Sequence, residues 1–528
     1  MAEATFSISQ HYHQRTKYDP DTLASKARGL NWDEQPVPYK AYRFGHSLDL
    51  KPYLEKTPPN DLKAEDVLWW QRLSRFLIDS YGLTAKVMAD EPIYLRAAPS
   101  AGGLYPAEIY LVSRGTSLLS AGLYNYQVRT HSLLRFWDNH LWQSLQEACF
   151  WHPSLENTHL ALVVTAVFQR SAWRYEDRAY RRICLDSGHL LGNLELAGSL
   201  CDYRPHLIGG FADEAVNQLL YLEPQEEGAI AIIALADLLQ VEQNLPRACT
   251  ALPTDTQTDF PKLLDGELLG YLHQVTQIKR AQVPDDQDPT DQDLTQLQKT
   301  LKTDAQQPEA VSESADKYNF PFCNKVSTQT APIVWGEGLT DLETTLLRRR
   351  STRRYTGADI SLAALKQILD FTYQPDHYAD QGLAPQPDYF DLTLIETFVV
   401  VSGVEGLENG CYYYAPHAQE LRQIRFKEFR QELHYLCLGQ PLGRDAAAVI
   451  FHTADLQTAV ARYGDRVYRY LHLDAGHLGQ RLNIAAIQLK LGVSGIAGFF
   501  DDQVNEVLGI PDDEAVLYIT TLGQPWRG

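Results

Sequence analysis

Residues 96–110, which read RAAPSAGGLYPAEIY, are the stretch that decides the fold. The first part, residues 99–103, is a turn of small residues in which glycine tolerates positive φ and lets a ligand approach the backbone closely. The second part, residues 104–112, is rich in β-branched and aromatic residues and predicts a strand. Such a turn suits a flat ring lying on backbone N–H groups, and it suits an ordinary loop before a strand equally well.

The composition limits the class of protein. A chain of 528 residues with 44% apolar and 22% charged residues predicts a soluble protein of two or more domains. The net charge of −20 argues against a nucleic-acid partner and against anionic membrane surfaces. The longest apolar stretch, near residues 160–168, is too short to span a bilayer. Seven scattered cysteines without a CxxC pair and a start without the layout of a signal peptide lead us to expect a cytoplasmic protein.

The chain contains an internal repeat. Residues 174–197 (RYEDRAYRRICLDSGHLLGNLELA) return 288 residues later as residues 462–485 (RYGDRVYRYLHLDAGHLGQRLNIA). The same offset pairs Asp186 with Asp474 and Gly210 with Gly498. Each copy mixes helical and strand patterns, so we predict an α+β fold with two tandem domains. Their expected bounds are residues 1–241 and 336–528, separated by an acidic, largely disordered linker at residues 242–335 with one helix near residues 263–278.

The two copies differ most at their front ends. The second copy opens with RRRSTRRY at residues 348–355, whereas its counterpart of the small-residue turn, residues 387–391, reads PDYFD. The first copy has only a reduced basic cluster, Arg15-Thr16-Lys17. If RRRSTRRY begins a helix, its forked arginine donors and the helix N-terminus can bind phosphate. The alternative is a solvated basic patch or a peptide-binding surface.

Two further motifs carry titratable groups. Asp186 and His189 share a helix face, as do Asp474 and His477, and we interpret each as a hydrogen-bonded pair where the helix packs, with catalysis as the alternative. No nucleophile motif and no metal-ligand spacing accompanies them, so we expect no metal site. Tyr175 follows an arginine, as Tyr463 does in the second copy. The positive charge could lower the tyrosine pKa and allow proton transfer, or the ring could simply stack on arginine at the surface.

These motifs together resemble nitroreductase-like flavoproteins, and within them the SagB-type dehydrogenases, which oxidise thiazoline or oxazoline rings in ribosomally made peptides. The resemblance implies two nitroreductase-like units packed as a dimer with FMN at their interface, here as an intramolecular pseudo-dimer. It implies an FMN-dependent oxidoreductase acting on a small-molecule or peptide substrate, with a peptide-modifying complex as a candidate partner. Alternatives are an NAD(P)H-dependent nitro or quinone reductase and a catalytically degenerate scaffold of such a complex.

The resemblance also assigns the site residues. A composite FMN site combines small turn residues and an arginine of the first copy with residues of the second: Arg96, Pro99, Ser100, Ala101 and Gly102 with Arg349, Ser351, Arg353 and Gly498. The opposite site would combine Arg15, Thr16, Lys17 and Gly210 with Asp388, Tyr389 and Phe390. Bulky and acidic side chains then stand where small ones are needed, so we predict one FMN per chain.

One departure from the SagB type concerns proton transfer. Those enzymes carry a Lys-Tyr pair where this chain has Arg174-Tyr175 and Arg462-Tyr463. Lysine can act as a base, whereas arginine stays protonated in proteins. The catalytic role would therefore fall to Tyr175 or Tyr463.

Overall fold

The structure is a computed structural model that describes residues 6–21, 23, 29–55, 62–88, 92–138, 140–240, 250–279, 316–319 and 323–526. The strands of its first half, in chain order, are β1 (His46–Asp49), β2 (Leu83–Val87), β3 (Ile93–Arg96), β4 (Ala107–Ser113), β5 (Gly122–Gln127), β6 (Ser132–Trp137), β7 (Leu160–Val167), β8 (Tyr203–Ile208) and β9 (Glu227–Asp237). Those of its second half are β10 (Lys325–Ser327), β11 (Ile360–Ser361), β12 (Glu396–Val401), β13 (Val404–Glu405), β14 (Gly410–Ala415), β15 (Glu420–Arg425), β16 (Ala448–Asp455), β17 (Gly492–Ile496) and β18 (Glu514–Gly523).

The α-helices surround and separate the sheets. In chain order they are α1 (Ile8–Arg15), α2 (Ala64–Tyr81), α3 (Trp142–Ala148), α4 (Phe168–Tyr175), α5 (Ala179–Leu200), α6 (Asp213–Leu219), α7 (Leu268–Val275), α8 (Thr340–Arg348), α9 (Leu362–Tyr373), α10 (Arg430–Leu436), α11 (Pro441–Asp445), α12 (Leu456–Tyr463), α13 (Val467–Gln488) and α14 (Asp501–Leu508).

The two halves have the same topology. Seven strands of the first half form an antiparallel sheet in the order β1-β6-β5-β4-β7-β9-β8, and seven of the second half repeat it as β10-β15-β14-β12-β16-β18-β17. Strands β2 and β3 form a separate antiparallel ribbon that leads into the small-residue turn. The predicted α+β fold with two tandem domains is confirmed.

The two long helices α5 and α13 cross at the centre of the molecule. Gly188 of α5 and Gly476 of α13 meet there, because a Cβ on Gly188 would lie 2.9 Å from the Cα of Gly476 and would overlap the backbone carbonyl of Leu473. Residues over nearly the whole length of both helices are buried. Both helices therefore lie inside an intramolecular pseudo-dimer, with their closest approach at equivalent glycines.

Buried ion clusters join the two domains on either side of this crossing. The Asp501 carboxylate accepts hydrogen bonds from Arg178 and Arg181 at 2.8 and 2.7 Å. Asp213 accepts equivalent bonds from Arg466 and Arg469 at 2.6 and 3.0 Å. Burial raises the pKa of each carboxyl, but the arginine charges outweigh it and hold the pKa of both Asp213 and Asp501 below its ordinary value. Each domain thus supplies an anion that neutralises two cations of the other.

Part of the predicted linker packs against both domains. Residues 250–279 include α7, whose Leu268 and Leu272 are buried, and the Asp177 carboxylate accepts the backbone N–H groups of Gly266 and Leu269 near its start. These residues are therefore ordered, which differs from the expected linker, and the predicted helix is shorter than residues 263–278. The disorder predicted for residues 242–249, 280–315 and 320–322 of the linker lies outside the described residues.

RRRSTRRY does not begin a helix: α8 ends at Arg348, and residues 349–354 continue without regular secondary structure beside β17, where the Thr352 N–H donates to the Val493 carbonyl at 2.8 Å. The helix-dipole contribution to phosphate binding expected from the sequence is therefore wrong for this segment.

No helix within the described ranges is long and apolar enough to cross a membrane.

Candidate functional site

The small-residue turn is held by Asp186 of helix α5. The Ser100 hydroxyl donates to its carboxylate at 2.5 Å, and the Ala101 N–H donates at 3.0 Å. Ser100 Oγ in turn accepts the Tyr105 N–H at 2.8 Å. Burial raises the pKa of Asp186 to about 7, although the bonds from Ser100 and Ala101 act in the opposite direction. The turn is thus tied to the central helix by a buried carboxyl group.

Gly102 presents its backbone to Tyr175. Its φ of +66° is a left-handed conformation that favours glycine, and a Cβ there would lie 2.9 Å from the Tyr175 hydroxyl. The Arg182 guanidinium stacks on the Tyr175 ring at 3.8 Å. Burial outweighs the charges of Arg182 and Arg174, so the pKa of Tyr175 is raised. Of the two alternatives left open by the sequence, these contacts favour a ring stacked on arginine over a tyrosine with a lowered pKa.

Gly498 of the second domain closes this side of the site. A Cβ on Gly498 would lie 3.7 Å from the Arg182 guanidinium and 3.8 Å from the Tyr18 ring. The Arg182 guanidinium also donates to the Tyr18 hydroxyl at 3.4 Å. Burial raises the pKa of Tyr18, but the charges of Arg182 and Arg178 outweigh it, and the net pKa is lowered. Two tyrosines with opposite pKa shifts therefore flank one arginine.

Arg349 brings the second domain to the residues that precede the turn. Its guanidinium donates to the Ala97 carbonyl at 2.6 Å and to the Arg96 carbonyl at 3.3 Å. Ser351 is half-buried and Arg353 exposed on the segment that continues from it. The guanidinium of Arg96 itself packs between the rings of Tyr81 and Tyr105, at 4.5 and 4.6 Å. Arg96 thus meets Arg349 through its backbone, while its side chain packs on rings of its own domain.

The site offers unsatisfied donors to an anion. One terminal nitrogen of Arg349 and one of Arg182 are buried without a hydrogen-bond partner among the described residues. Burial lowers the pKa of Arg349 to about 10, so the guanidinium stays charged at neutral pH. Buried unpaired charged donors are costly, which favours a ligand that supplies acceptor oxygens. These donors, with the exposed backbone of Gly102, suit the phosphate and flat ring of FMN.

The opposite site is filled by the chain itself. Phe390 stacks on Tyr470 at 4.6 Å and would overlap a Cβ on Gly209. Leu252 covers Gly210 in the same way, and Tyr389 stacks on His477 at 4.3 Å. Tyr470 is the counterpart of Arg182 in the repeat. Aromatic and aliphatic side chains thus occupy the place that the composite site leaves open.

The other residues predicted for the opposite site do not lie together in the structure. Lys17 pairs with Asp502 at 2.6 Å and Arg15 with Asp265 at 2.7 Å, away from Gly210. Helix α1 docks on the second domain, where Ser9 donates to Asp465, so Arg15, Thr16 and Lys17 lie near the composite site. The predicted grouping of Arg15, Thr16 and Lys17 with Gly210 is therefore wrong. The structure places Asp388 in an ion pair with Arg204.

The two tyrosines singled out from the sequence have different surroundings. Tyr175 lies at the open turn, whereas the Tyr463 hydroxyl donates to Asp391 at 3.0 Å beside the filled half. Arg462 pairs with the same Asp391 carboxylate at 3.0 Å. Tyr175 is consequently the one of the pair that borders the small-residue turn.

The Asp and His residues of the two predicted pairs contact residues of other elements. Asp186 binds the turn, whereas His189 contacts the second domain through Gln480 at 2.9 Å and Tyr518 at 2.8 Å. Asp474 repeats the first arrangement by accepting the N–H groups of Phe390 and Asp391. These hydrogen-bond partners of Asp186, His189 and Asp474 lie on other elements and not within the expected pairs. No cluster of three or more His, Cys, Asp or Glu side chains suited to a metal is found among the described residues.

Sequence reasoning missed Arg182 and Tyr18. The repeat contained the signal for Arg182, since Tyr470 replaces it in an otherwise similar helix segment. Tyr18 has no counterpart signal, because nothing local indicates that residues after α1 cross to Gly498 and pair with Phe500. The asymmetry between the copies therefore marks the site more reliably than their shared residues do.

Comparisons with known proteins concern the two repeated domains. The Nitroreductase family model matches residues 68–236 and 346–524. A crystal structure of a nitroreductase-type protein from Anabaena variabilis is 65% identical, covers 98% of this chain and 100% of its own, and superposes with a TM-score of 0.90. Protein MJ1384 of Methanocaldococcus jannaschii, named as a nitroreductase, is 31% identical over 171 residues, which are 32% of this chain and 85% of that protein.

A more distant relative is named for peptide processing. The microcin B17-processing protein McbC of Escherichia coli is 26% identical over 149 residues, and the match spans 27% of this chain and 54% of McbC. The family model, in contrast, matches well over half of this chain and does so twice. The chain therefore belongs to the nitroreductase family and carries its domain in tandem.

Proposed function

We propose that the protein is an FMN-dependent oxidoreductase with one FMN bound per chain at the composite site. The observation that carries the proposal is the contrast between the two halves. The composite site combines the exposed backbone of Gly102 with the unpartnered buried donors of Arg349 and Arg182. The equivalent place is filled by Phe390 and its neighbours. FMN, when bound, supplies hydride transfer.

The residues around the site have distinct roles in this proposal. Arg349, Ser351 and Arg353 bind the phosphate, because forked guanidinium donors and a hydroxyl match its oxygens. The backbone of Pro99–Gly102 and Gly498 gives close access to a flat ring. Asp186 holds the turn in place through Ser100 and Ala101. The exposed side of Gly102 leaves room for a substrate to enter.

The position of Tyr175 favours reduction of an electrophile such as a quinone or nitro compound. Its phenol keeps its proton at neutral pH and can donate it. Reduction by hydride requires such a proton on the product. Tyr175 borders Gly102, where the substrate would lie. We therefore assign Tyr175 as the proton donor.

A second candidate activity is dehydrogenation of azoline rings in a ribosomally made peptide. This reaction needs a proton acceptor, and Tyr18, whose hydroxyl accepts from the Arg182 guanidinium at 3.4 Å, is the candidate for that role. The likeness to McbC, named for processing microcin B17, supports a peptide substrate. A peptide-modifying complex would then be the partner, and the acidic surface of the chain would suit cationic segments of it.

The test uses the FMN-loaded chain with two substrate sets. One contains NADH or NADPH with a quinone or nitroarene, and the other contains an azoline peptide under oxygen. We expect turnover of the first set, with Tyr175→Phe lowering kcat at least about 10-fold and Tyr18→Phe changing it little. If the azoline peptide is oxidised and Tyr18→Phe abolishes that turnover, azoline dehydrogenation and not electrophile reduction is the activity of the protein. Bound FMN without turnover of either set would favour a scaffold.

A further inference from the structure

Tyr518 lies in a slot that only the second domain possesses. Its ring passes between helix α13 and strand β17, where a Cβ on Gly479 would lie 2.6 Å from the ring. A Cβ on Gly495 would overlap the Tyr518 hydroxyl. Two glycines are thus required for this one aromatic ring to reach between the helix and the strand.

In the first domain, large residues stand in place of the two glycines and a small residue stands in place of the tyrosine. The repeat pairs Gly479 with Leu191 and Gly495 with Leu207. The strand pairings His452–Tyr518 and Val164–Ala231 are equivalent, so Ala231 is the counterpart of Tyr518. Two large residues and one small residue in the first domain therefore correspond to two glycines and a tyrosine in the second. Either set of three residues can fill the space between helix and strand. The set in the second domain differs chemically because it brings a hydroxyl group into that space.

A chain of hydrogen bonds fixes the direction in which this hydroxyl donates. The Asn193 amide donates to the Ser80 carbonyl at 3.0 Å, so its oxygen accepts the Gln480 amide N–H at 2.5 Å. The Gln480 oxygen therefore faces His189 Nδ1, at 2.9 Å, and that nitrogen carries the proton. His189 Nε2 is left as an acceptor, 2.8 Å from the Tyr518 oxygen. The Tyr518 proton consequently points to His189.

This arrangement leaves the lone pairs of the Tyr518 oxygen beside exposed backbone. Gly495, which the hydroxyl adjoins, is exposed. Burial lowers the pKa of His189 to about 3, so its ring stays neutral and keeps this tautomer. Burial and the Asp186 charge raise the pKa of Tyr518, while Arg349 acts against them. Geometry connects Tyr518 to the composite site, since Gly495 belongs to the strand that leads directly to Gly498, and His189 lies one helical turn from Asp186 on α5.

We propose that Tyr518 contacts the ligand of the composite site by accepting a hydrogen bond from an N–H donor, with His189 and Gln480 as positioning residues. The inference rests on the proposed function and adds a residue that the motifs did not contain. The N–H group can belong to the FMN ring or to the substrate. Both sources share the same chemistry, and the experiment separates them.

The experiment compares Tyr518→Phe with Tyr373→Phe in the full chain. Phenylalanine keeps the ring in its slot and removes only the hydroxyl. Tyr373 is the matched control, because its hydroxyl also lies 2.9 Å from the Nε2 of a buried histidine, His452. Thermal melting of both variants checks that the fold is retained. FMN affinity is measured by quenching of flavin fluorescence and the ring environment by the visible spectrum of the bound flavin.

We expect Tyr518→Phe to weaken FMN binding about 3- to 10-fold and to shift the bound-flavin spectrum, as loss of one neutral hydrogen bond does. Tyr373→Phe should do neither. Unchanged FMN affinity with a raised KM for the substrate would support the inference with the donor on the substrate. Wild-type values for affinity, spectrum and KM in Tyr518→Phe would overturn it. If the wild-type chain binds no FMN at all, the proposed function fails first and this inference falls with it.

Discussion

Replacing Asp186 by asparagine removes the carboxylate that holds the small-residue turn. The structure gives this group two donors, the Ser100 hydroxyl at 2.5 Å and the Ala101 N–H at 3.0 Å. Asparagine retains one acceptor oxygen and turns an N–H₂ group towards the other donor. Loss of a hydrogen bond to a charged group costs about 1.5–3 kcal/mol, which corresponds to roughly 10- to 150-fold in affinity. FMN binding should weaken by that factor if the composite site holds the flavin.

The duplication supplies the matched control. Asp474 is the counterpart of Asp186 and accepts the N–H groups of Phe390 and Asp391 at 3.0 and 2.9 Å in the filled half. Asp474→Asn should lose comparable stability in urea but keep FMN affinity within about 3-fold of wild type. Titrations are made at pH 8, above the pKa of about 7 of Asp186, so that the carboxylate is ionised. Equal loss of FMN affinity in both variants would refute the reasoning.

Three further predictions concern the assembly of the two domains. Asp501→Ala leaves two buried arginines of the other domain unpaired and should lower the free energy of unfolding in urea by about 3–5 kcal/mol, and Asp213→Ala should do the same. Gly188→Ala forces α5 and α13 apart at their crossing and should lower the melting temperature, with FMN affinity falling alongside it; a wild-type melting curve would contradict this packing. Burial raises the pKa of Asp79 to about 8 from 3.8, so the folded chain keeps a proton that the unfolded chain loses, and stability from this group should fall between about pH 4 and pH 8. Asp79→Asn should flatten that slope in urea titrations and be more stable than wild type at pH 8, and an unchanged slope would count against the assignment.

The repeat made much of the fold predictable. A fixed offset of 288 residues and the alternating and helical patterns indicated two α+β copies before any coordinates. The order of strands within each sheet is set by long-range pairing, which no local pattern contains. Residues 250–279 looked like linker because they are polar overall, although Leu268 and Leu272 provide the apolar positions that bury α7.

The candidate site was predictable where it depended on residue size and not where it depended on docking. The loss of small residues at 387–391 correctly indicated that Phe390 would crowd the opposite half. The docking of α1 on the second domain brought Tyr18 to Gly498, and no signal in the first residues indicates it. The sequence left open whether the pKa of Tyr175 is lowered, because its arginine neighbour is visible in the sequence, whereas the burial that raises the pKa is not.

The number of FMN molecules bound per chain tests the central claim most directly. Apo protein is titrated with FMN, and the bound flavin is counted against chain concentration for wild type, Arg349→Ala and Ser100→Trp. The account predicts one FMN per wild-type chain and loss of that site in both variants, because each alters the composite site. Two FMN per chain, or one that survives both substitutions, would contradict it and place flavin in the half that Phe390 and Leu252 fill.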